Sequence, residues 1–376
     1  MSTQAIRVGV IGAGRFAEQA HIPGVQAHPD GQVVALCARN RERASALAAR
    51  FGVPRVYTDY QELLAQPDIG AVTIAAPDAL HLPVALAALA AGKHVFCEKP
   101  LAMDAGEARR LVAAGQQAGL VNMVAFTFRY TRALLAMRRL IQEGTLGTPF
   151  AVSMQVHWGG VGFPRGSLSW RETAEASAAG IWGDGASHLF DALAYLLAPA
   201  EEVCAQMQIV PREPGTEQPE SVDHATCLAR LHLHAQAAAG QASAFSDREA
   251  GTVHASLLTS RVDTPYGNGD EIQVVGTNGA VNGALNRGAR ERLSLRRAGG
   301  RAWEEVSLPP DASTDEPRAL TRMLGAFVDA VQRGRPDPDQ DPDFRAGLHA
   351  QEAIDAATRS ARHNRWETVR SVERAR

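Results

Sequence analysis

The sequence lacks a long uninterrupted apolar run, a block of basic residues and a leader-like N-terminus. No window approaches the roughly eighteen apolar residues that a membrane-spanning helix needs. The formal net charge is -3 at pH 7, which makes nucleic acid and anionic membrane surfaces poor partners. The opening stretch MSTQAIRVGVIGAG passes directly into a strand pattern, without the basic and apolar regions of a signal peptide.

Cysteine is scarce, and the sequence shows no metal-ligand pattern. The four cysteines, Cys37, Cys97, Cys204 and Cys227, are scattered without a C-x-x-C pair, and three of them lie in apolar runs. Buried free thiols in a reducing compartment are the simplest interpretation, which predicts a cytoplasmic protein. His232 and His234 alternate on one face of a predicted strand, and His254 lies on another, but no carboxylate or cysteine pattern completes a zinc site. We therefore predict no metal.

The chain has 376 residues, which is too long for one ordinary core, so we expect two domains. In the first third, short apolar runs alternate with Ala-rich helical stretches that stop at Gly52, Gly92 and Gly119. This alternation predicts a doubly wound parallel sheet in a Rossmann domain over residues 1–126.

From residue 127 the pattern changes to alternating apolar and polar runs. We predict that residues 127–376 form a second α/β domain with one large, mostly antiparallel open sheet that is covered on a single face. Helices are expected near 181–197, 318–333 and 343–362. No internal repeat and no low-complexity tract is present.

The first strand leads into a G-x-G-x-x-A turn at the start of a helix. Gly12 permits the tight turn, Gly14 lets the backbone approach a pyrophosphate, and Ala17 allows the helix to pack closely on the strand. The helix start, with Arg15 and Phe16, offers N–H groups to the anion. The turn predicts dinucleotide binding; the alternative is a Gly-rich turn without function.

The end of the second strand favours NADP over NAD. NAD-binding proteins usually carry an acid at this point to hold the ribose hydroxyls. Here Ala38 occupies that position, followed by Arg39, Asn40, Arg41 and Arg43. A small residue beside a guanidinium leaves room and positive charge for a 2′-phosphate. In the alternative, Arg39 stacks on adenine and the other arginines form a solvated helix face.

The apolar strand HVFC ends in the unusual sequence Glu98-Lys99-Pro100. Ligands of a parallel sheet bind at the carboxyl ends of its strands, which is where Lys99 lies. In the oxidation of a secondary alcohol, a nearby ammonium lowers the pKa of the alcohol and stabilises the developing alkoxide. The alternative is a lysine that only pairs with Glu98 at the strand end.

A second cluster lies in GIWGDGASHLFDAL, residues 180–193. Asp184, His188 and Asp191 share one face of a predicted helix. A carboxylate one turn from an imidazole can orient it or bind a substrate hydroxyl, and the imidazole can act as general acid or base. In the alternative, Asp184 caps the helix and His188 is a satisfied polar residue of the core.

The stretch between residues 156 and 183 is long and shows little periodicity, which is often a sign of a functional loop. Three of the five tryptophans lie in it or at its edge: Trp158, Trp170 and Trp182. Aromatic faces suit the C–H faces of a sugar ring, and Arg165 or Arg171 can bind hydroxyls or an acid group. The alternative is that these aromatic side chains only anchor the loop.

Taken together, four motifs resemble the Gfo/Idh/MocA oxidoreductase family, the group of glucose-fructose oxidoreductase and inositol dehydrogenase. They are the G-x-G-x-x-A turn, P-D-x-x-H at 77–81, GKHVFCEKP at 92–100 and D-x-x-x-H at 184–188. The resemblance covers nearly the whole chain, and the E-K-P element is its most specific part. It implies a Rossmann domain that binds NAD(P) and a C-terminal α/β domain whose open sheet builds dimers or tetramers.

By this resemblance, Lys99 is the catalytic lysine, His188 transfers the proton, and Asp184 binds the substrate beside it. The resemblance also places a further set of residues along the cofactor: Pro77, Asp78, His81 and Glu98. Two departures from the family pattern stand out. Ala186 replaces the usual Gly two residues before the histidine, and Thr127 replaces the usual Asn upstream of Arg129, a predicted substrate contact.

The motifs therefore predict an NAD(P)-dependent dehydrogenase or reductase that acts on CH–OH groups of a sugar, a sugar derivative or a cyclitol. One alternative is an enzyme that retains its NAD(P) and uses transient oxidation for glycoside cleavage, elimination or epimerisation. A further alternative is a non-catalytic nucleotide-sensing protein. The intact set of Lys99, Asp184 and His188 argues against the last of these.

Overall fold

The computed structural model describes residues 5–161, 177, 179–210, 217–233, 251–262, 269–285, 291–308 and 319–369. The chain divides into two compact units. The first unit combines Met1–Tyr130 with Ser313–Gln351, and the second combines Thr131–Ala312 with Glu352–Arg376. The predicted boundary at residues 126/127 remains a prediction.

The first unit contains a parallel sheet of six strands. The strands are β1 Ile6–Ile11, β2 Gly31–Cys37, β3 Arg55–Tyr57, β4 Ala71–Ile74, β5 His94–Cys97 and β6 Asn122–Val124. Their order is β3-β2-β1-β4-β5-β6, and every pairing is parallel. This order is that of a dinucleotide-binding Rossmann sheet, with its ligand crevice at the carboxyl ends of the strands.

The helices of the first unit connect these strands. They are α1 Ile22–Gln26, α2 Arg41–Phe51, α3 Tyr60–Leu64, α4 His81–Ala90 and α5 Ala105–Ala118. A π-helical segment, Ala17–His21, precedes α1. As predicted, Gly52 and Gly119 follow α2 and α5 in left-handed conformations, with φ of 67° and 64°.

The core of this unit receives a helix from far along the chain. Six buried residues of α8 (Ala319–Arg333) pack in the same hydrophobic core as β1 and β2: Ala319, Met323, Leu324, Phe327, Val328 and Ala330. This helix was predicted as part of the second domain, because it follows the antiparallel strands in the sequence. The helix instead covers the parallel sheet.

The second unit contains a nine-stranded sheet. Its strands are β7 Pro149–Val161, β8 Glu202–Gln208, β9 His224–His232, β10 Thr252–Val262, β11 Gly269–Gly276, β12 Gly279–Ala284, β13 Arg292–Arg297, β14 Glu304–Glu305 and β15 Glu367–Thr368. Their order is β14-β13-β12-β11-β7-β10-β9-β8-β15, and only the β10/β7 pair is parallel. The structure thus confirms the predicted fold class.

One face of this sheet is covered by helices. The helices of the second unit are α6 Arg132–Gln142 and α7 Gly180–Leu196. The residues of α9 (Phe344–His363) are divided between the two units. α7 packs against β7 and β10. Along β9, Cys227 and Ala229 are buried, whereas Leu228 between them is 53% exposed on the other face. Along β9, this alternation agrees with the predicted sheet that is covered on one face.

The structure adds strands that the sequence analysis missed. The three-residue strand β3 lacks the apolar run that marks its neighbours, and with it the strand before Lys99 is the fifth along the chain. β12 also escaped prediction, since GAVNGA holds two glycines and lacks a clear alternation.

Three further observations concern the cysteines, metals and membranes. Cys37, Cys97 and Cys227 are buried free thiols, as predicted, and Cys204 is half-buried. Within the described ranges, we find no cluster of three or more potential ligand side chains that would hold a metal ion. None of the helices in the described part of the chain has the length and hydropathy to cross a membrane.

Candidate active site

The dinucleotide turn follows β1 and depends on Gly12. This residue has φ 116°, and a Cβ atom built on it would lie 2.1 Å from the carbonyl oxygen of Ala75. Its N–H donates to the carbonyl oxygen of Cys37 at 2.8 Å. The turn therefore brings the backbone against the ends of β2 and β4, and only glycine fits.

Gly14 differs from Gly12 because the space around it is open. A Cβ atom at this position would contact nothing within 4 Å, and its φ does not lie in the left-handed region. Arg15 is exposed with its guanidinium 5.7 Å from the ring centre of Phe16, while Ala17 is buried in the core. An open backbone at the start of a helix fits a pyrophosphate, so the residues of this turn suit NAD(P).

We expect Gly14→Ala to weaken cofactor binding and leave the fold intact. The methyl group would occupy the open space over the turn, so the pyrophosphate loses its close approach. A loss of about tenfold or more in affinity corresponds to at least ~1.4 kcal/mol. Calorimetric titration with NAD+ and NADP+, together with thermal unfolding of the free protein, measures both effects.

Gly12→Ala is the contrasting variant, because its Cβ atom clashes with fixed backbone. It should lower the stability of the free protein as well. An unchanged cofactor affinity in Gly14→Ala would show that the turn does not hold the pyrophosphate.

The segment after β2 carries the predicted determinants of cofactor choice. Ala38 is half-buried, and its N–H donates to the carbonyl oxygen of Tyr57. The side chain of Asn40 caps α2 by accepting a hydrogen bond from the N–H of Arg43 at 2.9 Å. Arg39 and Arg43 are exposed. Asn40 therefore has a clear structural role, and the arginine side chains project from a fixed helix start.

His81 connects the ends of β4 and β5. Its Nδ1 lies 2.8 Å from the carbonyl oxygen of Pro100, and its Nε2 lies 3.0 Å from that of Ala76. Two acceptors require two N–H groups, so the ring is an imidazolium. Burial alone lowers the pKa of His81, but the nearby Cys97 and Asp78 and the Pro100 carbonyl together raise it to about 10. His81 is fully buried and acts on the site by fixing these two strand ends.

Glu98 follows β5 and is held by a histidine that the sequence analysis missed. The Nε2 atom of His21 lies 2.9 Å from Oε1 of Glu98, and the N–H of Lys99 donates to Oε2 at 3.3 Å. Burial raises the pKa of Glu98, but the hydrogen bond from His21 and the charges of His21, Lys99 and His81 hold it below its usual range. Glu98 is therefore a buried carboxylate that keeps its charge.

Lys99 lies directly beside this carboxylate. It is 7% exposed, and the Lys99–Pro100 peptide bond is cis. Pro77 and Asp78 follow the neighbouring strand β4, and Asp78 is also buried. All of these residues follow the carboxyl ends of their strands, as the dinucleotide turn follows that of β1. Because β1, β4 and β5 are adjacent and parallel, these ends lie on the same side of the sheet.

Arg129 belongs to a short helical turn after β6. One of its terminal nitrogens lies 3.5 Å from the carbonyl oxygen of Gln340, and the Gln340 amide donates to the Arg129 carbonyl at 2.7 Å. The hydroxyl of Tyr130 donates to Asp341. Arg129 is buried and bonded within its own unit. Its role as a substrate contact remains a prediction.

In the second unit, a tight turn starts α7. Ala179 and Gly180 both have φ 61°, and a Cβ atom on Gly180 would lie 2.6 Å from the Ser221 hydroxyl. The N–H of Ile181 donates to the carbonyl oxygen of Val222. The same segment is fixed by a buried ion pair, in which the Nε of Arg261 donates to Asp223 at 2.7 Å and its terminal nitrogen donates to Ser221. The start of α7 is therefore rigidly placed.

Asp184 and His188 lie inside α7. Because the helix begins at Gly180, Asp184 is not its cap, and that part of the alternative is wrong, whereas the alternative for His188 as a polar core residue is not contradicted. Asp184 is half-buried and His188 is 0% exposed. Between them, Gly185 packs so closely on β10 that an added Cβ would lie 3.0 Å from the side chain of Thr259.

Trp158 lies against His188, and its predicted contact with the substrate remains a prediction. The two rings meet edge to face with centres 6.0 Å apart, and the indole N–H of Trp158 donates to Oδ1 of Asp270 at 2.7 Å. Asp270 was not predicted, because nothing in the sequence links it to a residue 112 positions away. Together these contacts fix one side of the imidazole.

The other tryptophans of this region differ. Trp182 is fully buried, with its indole nitrogen 3.4 Å from the carbonyl oxygen of Ile354, so it belongs to the core and is not part of an exposed aromatic surface. Arg165, Trp170 and Arg171 lie outside the described residues. Their predicted role in substrate binding remains a prediction.

The sheet order and the open glycine turn define a dinucleotide-binding Rossmann unit, which this chain combines with a second α/β unit. The family model described as an oxidoreductase family with an NAD-binding Rossmann fold matches residues 6–126, and the model of its C-terminal alpha/beta domain matches residues 138–369. The chain belongs to the Gfo/Idh/MocA oxidoreductase family. This confirms the predicted family and its enzyme class, the dehydrogenases and reductases.

Curated relatives and a solved structure support this membership. The chain is 35% identical over 222 residues to levoglucosan dehydrogenase of Pseudarthrobacter phenanthrenivorans, with 56% of each chain covered. It is 36% identical over 199 residues to 1,5-anhydro-D-fructose reductase of Ensifer adhaerens, covering 52% of this chain and 59% of the relative. These alignments thus span little more than half of the relatives' lengths. The structure of levoglucosan dehydrogenase with NADH and L-sorbose superposes with a TM-score of 0.85 at 25% identity, covering 98% of this chain and 100% of that one.

Proposed function

We propose that the protein transfers hydride between the nicotinamide of NAD(P) and a secondary alcohol or ketone of a sugar, a sugar derivative or a cyclitol. The observation that carries this proposal is that the buried residues Glu98 and Lys99 follow the carboxyl end of β5, on the same side of the parallel sheet as the dinucleotide turn. Dinucleotides bind at the carboxyl ends of the strands in such sheets. An ammonium group there can stabilise a substrate oxygen that gains negative charge during the reaction. The relatives named for levoglucosan and 1,5-anhydro-D-fructose support a sugar-derived substrate.

The side chains of the protein supply the steps other than hydride transfer. The cofactor, when bound, accepts or supplies the hydride. Lys99 polarises the substrate oxygen, and His188 exchanges its proton as general base or acid. Asp184 binds a substrate hydroxyl, and Trp158 orients His188 through their ring contact. Pro77, Asp78, His81 and Glu98 shape the cofactor side of the first unit.

We further propose that NADP is the preferred cofactor. Ala38 leaves space at the end of β2, and Arg39, Arg41 and Arg43 are all exposed there. No ion pair is described for these three arginines in the part of the chain that the structure covers, so their charge is available to a 2′-phosphate. NADH in the structure of levoglucosan dehydrogenase is the observation that opposes this preference.

We expect Arg39→Ala to lower kcat/KM with NADP+ by about tenfold, as the loss of one charge-assisted hydrogen bond implies, with little change for NAD+. Initial rates with both cofactors measure this effect. Arg110→Ala is the matched control, because Arg110 is an exposed arginine on α5, away from this strand end. Equal losses with both cofactors would argue for stacking on adenine.

The experiment that tests the proposed function is a spectrophotometric screen at 340 nm. NAD+ and NADP+ are each offered with sugars, anhydrosugars, sugar acids and inositols, and the reverse reaction is offered with the reduced cofactors and ketones. Turnover with net formation or loss of reduced cofactor supports the proposal. Product formation without any change at 340 nm, with cofactor that survives gel filtration, would instead show an enzyme that retains its cofactor.

The assembly and the location of the protein also remain proposals. The exposed Leu228, on the face of β9 opposite to the buried Cys227 and Ala229, supports a homodimer or homotetramer. The buried free thiols support a reducing, cytoplasmic location.

A further inference from the structure

His21 belongs to none of the sequence motifs, but its side chain contacts Glu98 of the candidate active site. It ends the π-helical segment that follows the dinucleotide turn, and it is 0% exposed. π-helical turns insert an extra residue and are frequent at functional sites. The ring meets Phe96 of β5 edge to face, with centres 5.6 Å apart. His21 is therefore held against the strand that carries Glu98 and Lys99.

The polar contacts of His21 are one-sided. Its Nε2 lies 2.9 Å from the carboxylate of Glu98, whereas its buried Nδ1 has no hydrogen-bond partner among the described residues. A histidine that only fills a core would normally satisfy both nitrogens or leave one in water. The ring is thus placed for Glu98 alone.

Glu98 needs this partner. It is buried, its other hydrogen bond comes at 3.3 Å from the N–H of Lys99, and the charged groups that act on it are His21, Lys99 and His81. His81 is already committed to two carbonyl oxygens. His21 is consequently the side chain whose hydrogen bond fixes the orientation of the Glu98 carboxylate.

We infer that His21 is a positioning residue that acts through Glu98 on Lys99. By holding the Glu98 carboxylate in place, His21 keeps the ammonium of Lys99 directed for its contact with the substrate oxygen. This inference rests on the role proposed for Lys99. His21 would thereby belong to the active site although it lies in none of the sequence motifs.

The test uses a feature of the composition: the chain contains only two lysines, Lys93 and Lys99. Labelling with ε-13C-lysine therefore gives two protein signals, and the one missing in Lys99→Met belongs to Lys99. We compare His21→Phe, which keeps an aromatic ring but removes the donor, with His21→Gln, which keeps an N–H donor. His21→Phe leaves Glu98 charged at the pH where a lysine titrates but removes the donor that orients its carboxylate. The midpoint of the Lys99 titration should therefore fall by up to about one pH unit as the carboxylate turns away, and much less in His21→Gln.

Kinetics provide the second readout. In His21→Phe, the alkaline limb of kcat/KM should move to lower pH by a similar amount, and kcat should fall by about tenfold or more. His94→Phe is the matched control, since His94 lies at the opposite end of β5 and its Nδ1 accepts from the N–H of Val121. It should lower stability without moving either titration.

A folded His21→Phe protein with an unchanged Lys99 titration would overturn the inference. Should that variant fail to fold, Glu98→Gln tests the same link, because it removes the charge itself and must lower the midpoint of the Lys99 signal by at least as much. An unchanged signal there overturns the inference as well. The proposed function fails separately, if Lys99→Met keeps full activity.

Discussion

Lys99→Met is expected to lower kcat by about 10³-fold, the loss that follows when a group stabilising charge in the transition state is removed. The side chain of methionine keeps the volume and apolar stem of lysine, so the buried position stays filled. What disappears is the ammonium beside Glu98. Steady-state kinetics with the substrate found by the 340 nm screen measure the effect, and calorimetric titration shows whether the cofactor still binds.

The chain provides a matched control for this variant. Lys93, the only other lysine, is buried to a similar degree, and its amine donates to the carbonyl oxygen of Gln66 at 2.9 Å. Lys93→Met removes an equivalent charge from the same unit at the opposite end of β5. It should cost about 1 kcal/mol of stability through the lost hydrogen bond and leave kcat unchanged. Equal activity losses in both variants would point to a general effect of buried lysines on the fold.

His188→Asn should have the second-largest effect, lowering kcat by about 10²–10³-fold as expected for the loss of a general acid or base. Asparagine retains polarity and approximate size inside α7 but cannot exchange a proton near neutral pH. The limb of the pH profile that reports His188 should disappear. His363→Asn, at the exposed end of α9, is the control and should behave as wild type.

The double variant decides whether the two residues serve one step. When two groups act as a unit, the second substitution adds little to the loss from the first. Lys99→Met combined with His188→Asn should therefore be about as inactive as either single variant. Fully multiplicative losses would show that the two residues contribute independently, and the proposed division of roles would be wrong.

Much of the first unit was predictable because its signals are local. The glycine turn, the apolar runs and the glycines after α2 and α5 each report on a few neighbouring residues, and the parallel order follows from their alternation. E-K-P likewise marks a strand end by itself. The second sheet was predictable in type but less in detail, because β12 contains glycines in place of the usual alternation.

What escaped prediction depends on contacts between distant residues. His21 and Glu98 are 77 positions apart, and Trp158 and Asp270 are 112 apart. Such pairs are created by the topology and carry no local pattern. A lone histidine in an Ala-rich helical stretch therefore reads as part of the core. The helix Ala319–Arg333 was placed with its sequence neighbours for the same reason.

That helix has a consequence for how the protein is made. A growing chain emerges from the ribosome N-terminus first, and domains generally fold as units during synthesis. The nucleotide-binding sheet, however, lacks Met323, Leu324, Phe327 and Val328 until translation has passed all the strands of the second sheet up to β14. The parallel sheet therefore stays partly exposed until α8 has been synthesised. A truncated N-terminal fragment that lacks α8 should aggregate instead of folding alone.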